Sequence, residues 1–206
     1  MPTMEYTPAE ASAVTNLPIR TVHKLIERKL VRPRRLRKGR SVQRLLNFEQ
    51  LVYLCLEAEG LQLLPMDVRR DIAKRIEADS GVDAVFLSEG RAVCIQVKTV
   101  RKELEKELKR LWQAEREIVV DPEVLRGTPV YKGTRIPVEL VADMLSQGAS
   151  VDEIQEGYPA LNPEKIGLAS LYLRAFPRRG RPAARPWAKR KVTRRTRHRR
   201  RMARSK

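Results

Sequence analysis

The last 29 residues set the terms for the rest of the chain. Residues 178–206 carry 15 Lys or Arg and no acid, in a low-complexity run with Trp187 near its start. Such a segment cannot bury enough apolar surface to offset the entropy lost on ordering. Any core must therefore come from residues 1–177. Charge is uneven there as well. Residues 1–48 hold 11 basic and 3 acidic side chains, whereas residues 49–177 hold 17 and 22. A basic head, an acidic middle and a very basic tail read as two separate contacts with polyanions or acidic protein surfaces.

Hydrophobic residues make up 42% of the chain but aromatic ones only 5%, which favours small aliphatic cores in short helical domains. No apolar run is long enough to span a membrane, and MPTMEYTPAE lacks the pattern of a signal peptide. Cys55 and Cys94 sit in apolar stretches without Cys-x-x-Cys spacing and read as reduced core residues. The expected compartment is the cytoplasm.

Thr7-Pro8-Ala9-Glu10 predicts a capping box opening a short helix, with Asn16 ending it in the left-handed conformation. A second helix is expected from Pro18, with Val22, Leu25, Ile26 and Lys29 towards one face. The segment 31–47 reads as a basic ribbon turning at Lys38-Gly39 and anchored by Val42, Leu45 and Leu46. Asn47 and Pro65 open two further helices. Helix, turn, helix, ribbon, helix, helix is the order of a winged helix-turn-helix. Residues 82–100 predict a β-hairpin about Ser88–Arg91. A charged helix follows from Arg101, with Leu104, Leu108, Leu111 and Trp112 on a narrow stripe. That stripe suits either a subunit seam or a connector packed on its own chain. Beyond it come an extended lead-in, a ribbon turning at Lys132-Gly133-Thr134, and three helices ended or capped by Gly148, Ser150 and Asn162. The last of these, 163–176, is apolar and reads as a packing or contact helix. The expected class is mainly α with small β ribbons: a winged helix-turn-helix unit (1–78), a hairpin and connecting helix (79–117), a three-helix helix-turn-helix-like unit (118–177) and a disordered, Arg-rich tail (178–206).

No catalytic constellation is visible. The two histidines, His23 and His198, have no neighbours at metal-ligand spacing, and no phosphate-cradling glycine loop occurs. Neither enzyme activity nor a cofactor is expected. A helix that reads DNA needs polar side chains near its start for base edges and basic ones for phosphates. Arg20, Thr21 and Lys24 meet the first need and Arg28 the second, and His23 on the same helix joins them as a DNA-binding candidate. Arg34, Arg35, Arg37, Lys38 and Arg40 would lie along the adjacent backbone.

The stretch YTPAEASAVTNLPIRTVHKLIERKLV resembles the start of MerR-like winged helix-turn-helix regulators, over roughly residues 5–77. Asn16 departs from the usual glycine, and the long effector-sensing coiled coil is missing. DPEVLRGTPVYKGTRIPVELVADMLSQGASVDEIQEGYPALNPEKI resembles the VapB-type antitoxin domain. Gly127, Pro129, Gly133, Thr134, Arg135, Ile136, Pro137 and Val138 fall on its Gly-x-Pro-x-x-x-Gly-Thr-Arg-Ile-Pro-Val signature. That resemblance implies an antitoxin that binds operator DNA, regulates its own operon and neutralises a PIN-like ribonuclease toxin. The alternative is a stand-alone MerR-like regulator without a toxin. Arg135 reads as a contact residue or as one half of an Arg–carboxylate pair pinning a hairpin. The tail has two readings. Arg181, Arg185, Trp187, Lys189, Arg190, Arg194 and Arg195 wrap the carboxylate-lined toxin site, or the tail coats nucleic-acid phosphates without sequence preference. A homodimer is expected, because such regulators read paired half-sites.

Overall fold

The computed structural model describes residues 4–39, 41–87 and 94–177. The protein is mainly helical, with small antiparallel β ribbons. α1 (Pro8–Thr15) starts with the expected box: Thr7 Oγ1 accepts from the Glu10 N–H at 3.3 Å while Glu10 accepts from the Thr7 N–H. Asn16 takes φ +56°, and Ser12 donates to the Leu17 carbonyl at 2.6 Å, which fixes the bend into α2 (Ile19–Glu27). Val22 and Leu25 bury the inner face of α2. Lys29, expected on that face, instead takes φ +58° outside the helix and is exposed. It stops the helix as a left-handed C-terminal residue does, and Leu30 and Val31 then dive into the core.

β1 (Arg34–Lys38) pairs with β2 (Ser41–Leu45), Lys38 opposite Ser41, so the turn begins at Gly39. Leu45 and Leu46 anchor the ribbon, but Val42 is 60% exposed. The expectation that Val42 is an anchor is corrected by register: Val42 lies opposite Arg37, on the alternate face from Leu45. α3 (Phe48–Ala58) opens on an Asn47–Gln50 capping box. A one-turn 3-10 helix at Leu61–Leu63 leads to α4 (Met66–Ala78).

β3 (Ala84–Phe86) and β4 (Cys94–Gln96) form the second ribbon, and α5 (Val97–Glu117) starts a turn earlier than its charged stretch. Val97 and Val100, expected in a strand, are buried helix residues. Cys94 is exposed and Cys55 half-buried, both free thiols, so the core reading of Cys94 fails.

Leu104, Leu108 and Leu111 on α5 are buried by the chain's own helices, chiefly α3, α1 and α8. The stripe is thus spent within the protein and is not open as a subunit seam. β5 (Ile118–Val119) pairs with β6 (Val130–Tyr131). α6 (Val138–Ser146), α7 (Val151–Gly157) and α8 (Pro163–Ala175) follow.

Two apolar cores result, one among residues 6–111 and one among 114–172. α8 belongs to both. Leu171 and Ala175 join the first, Ile166, Leu168, Ala169 and Tyr172 the second, and Phe176 touches each. The expected packing role of this helix is what the described residues show.

Candidate nucleic-acid interface

On α2, Arg20, Lys24 and Arg28 are exposed, while Thr21 and His23 are half-buried. Among the elements with substantial packing, only α1 presses on α2, so the polar side of the helix faces outward. Pro18 supplies no side-chain cap, and its carbonyl accepts the Thr21 N–H at 2.8 Å and the Val22 N–H at 3.2 Å.

The ribbon divides its basic residues by register. Leu45 is buried, so the face it shares with its partner Arg34 turns towards the core. Arg34 is not a free cation: it donates through Nε and Nη2 to both carboxylate oxygens of Glu5, tying the chain's start to the ribbon. The other face carries Arg35 directly opposite Arg44, with Arg37 opposite the exposed Val42. No ion pair involves Arg35, Arg37 or Arg44 among the described residues. Like charges directly opposite each other on neighbouring strands are destabilising. Arg44 was not among the residues singled out from sequence. Counting back from a two-residue turn would have paired it with Arg35, but a turn set one residue earlier hid the pairing. The Lys38 side chain and Arg40 lie outside the described residues.

The signature residues of the second unit are mostly structural. Gly127 (φ +73°) closes the loop after β5, its N–H reaching the Asp121 and Val124 carbonyls at 3.1 Å each. Gly133 (φ +76°) permits the next turn. Thr134 locks that turn: its hydroxyl donates to the Tyr131 carbonyl at 2.9 Å and accepts from the Ile136 N–H at 3.1 Å. The Pro129 carbonyl receives the Val138 N–H at 3.0 Å. Ile136 is half-buried, and buried Pro137 starts α6. Arg135 is exposed at the tip, and no ion pair involves it among the described residues, so the pinned-hairpin reading is not what these residues show. A shallow cleft beside it is lined by Val119, Asp121, Lys132 and Arg135, among others. Tyr131 is fully buried there, with no hydrogen-bond partner for its hydroxyl among the described residues, and burial pushes that hydroxyl up.

The tail set Arg181, Arg185, Trp187, Lys189, Arg190, Arg194 and Arg195 lies outside the described residues. Among the described residues, no group of three or more His, Cys, Asp or Glu is placed to hold a metal ion, and no helix is long and apolar enough to cross a membrane.

Residues 118–172 match the model of a family described as a protein of unknown function, DUF433. An uncharacterized protein of Sinorhizobium fredii, y4eO, is 52% identical over 69 residues, which cover 33% of this chain and 31% of that protein. The chain thus spans about a third of the length of the curated relative it matches. The crystal structure of Rv2018 from Mycobacterium tuberculosis overlays on 80% of this chain and 95% of its own, at 17% identity and a TM-score of 0.32.

Proposed function

We propose that the protein is a DNA-binding regulator in which α1 and α2 form a helix-turn-helix and the β1–β2 ribbon its wing. The observation that carries this reading is the cross-strand pair Arg35–Arg44, extended by Arg37, on a ribbon face where none of the three forms an ion pair among the described residues. A row of guanidinium groups held against their own repulsion makes physical sense when a polyanion completes it. The exposed Arg20, Lys24 and Arg28 of α2 supply the second half of such a surface. In this reading Arg20, Thr21 and Lys24 meet base edges, while Arg28 and the ribbon hold phosphates. Two copies would read paired half-sites.

The test is duplex binding as a function of salt, with DNA from upstream of the protein's own gene against a shuffled duplex. Arg20→Ala with Lys24→Ala should abolish the preference for the cognate duplex. Ribbon substitutions should weaken both duplexes alike and flatten the salt dependence. Equal binding of both duplexes by the unmodified protein would remove the sequence-reading role.

We further propose that the regulator is the antitoxin of a toxin–antitoxin pair, with a PIN-like ribonuclease as partner. The support is the resemblance carried by Gly127, Pro129, Gly133, Thr134, Arg135, Ile136 and Pro137. The exposed Arg135, in no ion pair among the described residues, supports a contact role for the turn. Copurification with the product of the neighbouring gene, after nuclease treatment, tests the pairing. A protein that binds its operator yet brings down no partner is a stand-alone regulator instead.

A further inference from the structure

Beside the core, α1, α3 and the first half of α5 enclose a cleft of about 320 Å³. Its floor is apolar: Val14, Val100 and Leu104 are buried, and Cys55 is half-buried among them. Burial first, and then the nearby Glu59 carboxylate, push the Cys55 thiol up to about 12. The rim is acidic. Glu59, Glu103 and Glu107 line the cleft, and among the described residues no Lys or Arg does. Glu103 and Glu107 each meet a basic residue one turn along α5, Lys106 at 2.6 Å and Arg110 at 2.8 Å. Such exposed pairs are weak and leave the carboxylates open to a better-placed cation.

The described chain ends close to this cleft. Arg174 near the end of α8 donates to the Asn16 side chain at 2.9 Å, and Asn16 lines the cleft. Three residues later, beyond Pro177, comes the segment with 15 basic residues and no acid. Ten residues past Pro177 lies Trp187, and ten residues of extended chain reach up to about 33–36 Å.

We propose that this cleft is the docking site for the chain's own residues 178–206. The Trp187 ring covers the apolar floor, and Arg181, Arg185, Lys189 and Arg190 pair with Glu59, Glu103 and Glu107. Tethering at α8 gives the tail an effective concentration of about a millimolar, so pairs too weak to hold a separate peptide suffice within one chain. The tail is then not freely on offer. Any polyanion or acidic partner that takes it must displace it from the cleft, and salt must loosen it. This proposal stands apart from the reading of the α2 and ribbon surface.

The test uses the full-length protein, stripped of nucleic acid and dilute. A carbodiimide that joins carboxylates directly to lysine amines is applied to an equal mixture of light and heavy-isotope protein. Lys189 and Lys191 should link to Glu59, Glu103 or Glu107 several-fold more often than to Asp152 and Glu156, which are exposed on α7. The links should join light to light and heavy to heavy only. Trp187→Ala, which leaves every charge in place, should reduce these links several-fold. It should also speed alkylation of Cys55, with the exposed Cys94 unchanged as the internal reference. Links spread evenly over the acids, links between isotopes, or a Cys55 rate indifferent to Trp187→Ala would each overturn the proposal.

Discussion

Glu57 on α3 has a side chain 2% exposed, and Arg69 on α4 meets its two oxygens at 2.9 and 2.7 Å. The Tyr53 hydroxyl donates to the same carboxylate, and burial together with that bond pushes the hydroxyl up. Taking two charges out of water is costly, and their attraction offsets it only while both are present. Arg69→Met should therefore lower stability by about 3–5 kcal/mol, and adding Glu57→Leu should restore much of it. Denaturant midpoints of the single and double variants decide the matter; a double variant no more stable than the single one would show that packing, not charge, carries the site. Glu115 behaves in the opposite sense. Burial, and then the Glu10 carboxylate, hold its carboxyl above the usual range. A folded-state value above the unfolded one means that its contribution to stability is full below about pH 4.5 and disappears as pH rises through the folded value. Glu115→Gln should thus match the parent near pH 4 and exceed it at pH 7, and equal thermal midpoints at both pH values would contradict this. Neither site could be read from sequence, because each joins residues on different helices.

At the scale of single elements, the helix starts were legible because their determinants are local. Thr7, Asn47, Ser150 and Asn162 cap from within four residues of the groups they satisfy. The turn after β6 was legible for the same reason, through Gly133 and Thr134, whereas the pairing of β6 with β5 joins residues a loop apart and was not. What failed depended on facing. Val97 and Val100 read as strand because a short β-branched run is ambiguous between strand and buried helix. Val42 read as an anchor on its apolar character alone, although it and Leu45 are three residues apart on one strand and so face opposite sides. A turn set one residue early concealed Arg44 by pairing it with position 33 and not with Arg35. From its position follows a prediction with two opposite signs. Arg35→Gln with Arg44→Gln removes a like-charge cross-strand pair and should raise stability by a few tenths to about 1 kcal/mol. If the ribbon holds phosphates, the same pair of changes should lower duplex affinity and reduce the magnitude of the salt slope by about 1–2. Thermal melting and titration at several salt concentrations measure the two arms separately, and a loss of affinity accompanied by a loss of stability would point to misfolding instead of a missing contact.

Across the whole molecule, the sequence reads as consecutive units, and hydrophobic periodicity supports that reading because it says which face of a helix is apolar. It does not say what covers that face. α8 lies far along the chain yet packs against α1 and α5, and its bond from Arg174 to Asn16 closes the largest sequence separation among the side-chain hydrogen bonds described. Asn16 thereby does two jobs: it takes the left-handed turn that glycine would also take, and it gives α8 an acceptor that glycine lacks. Without α8, the faces of α1 and α5 that it covers would meet water. Truncating a buried leucine alone costs about 2–5 kcal/mol, and a domain has only about 5–15 kcal/mol in hand. A fragment ending at Glu117 should therefore keep much of its helix but lose tight packing. We expect it to bind an apolar dye, to exchange the amide protons of α1 quickly, and to melt without a sharp transition. The intact protein should melt once, with amides of α1 and α6 protected together, since α8 contributes to both cores. A fragment that melts as sharply and as high as the full chain would mean that the first 117 residues stand alone, and that α8 rests on a surface which does not need it.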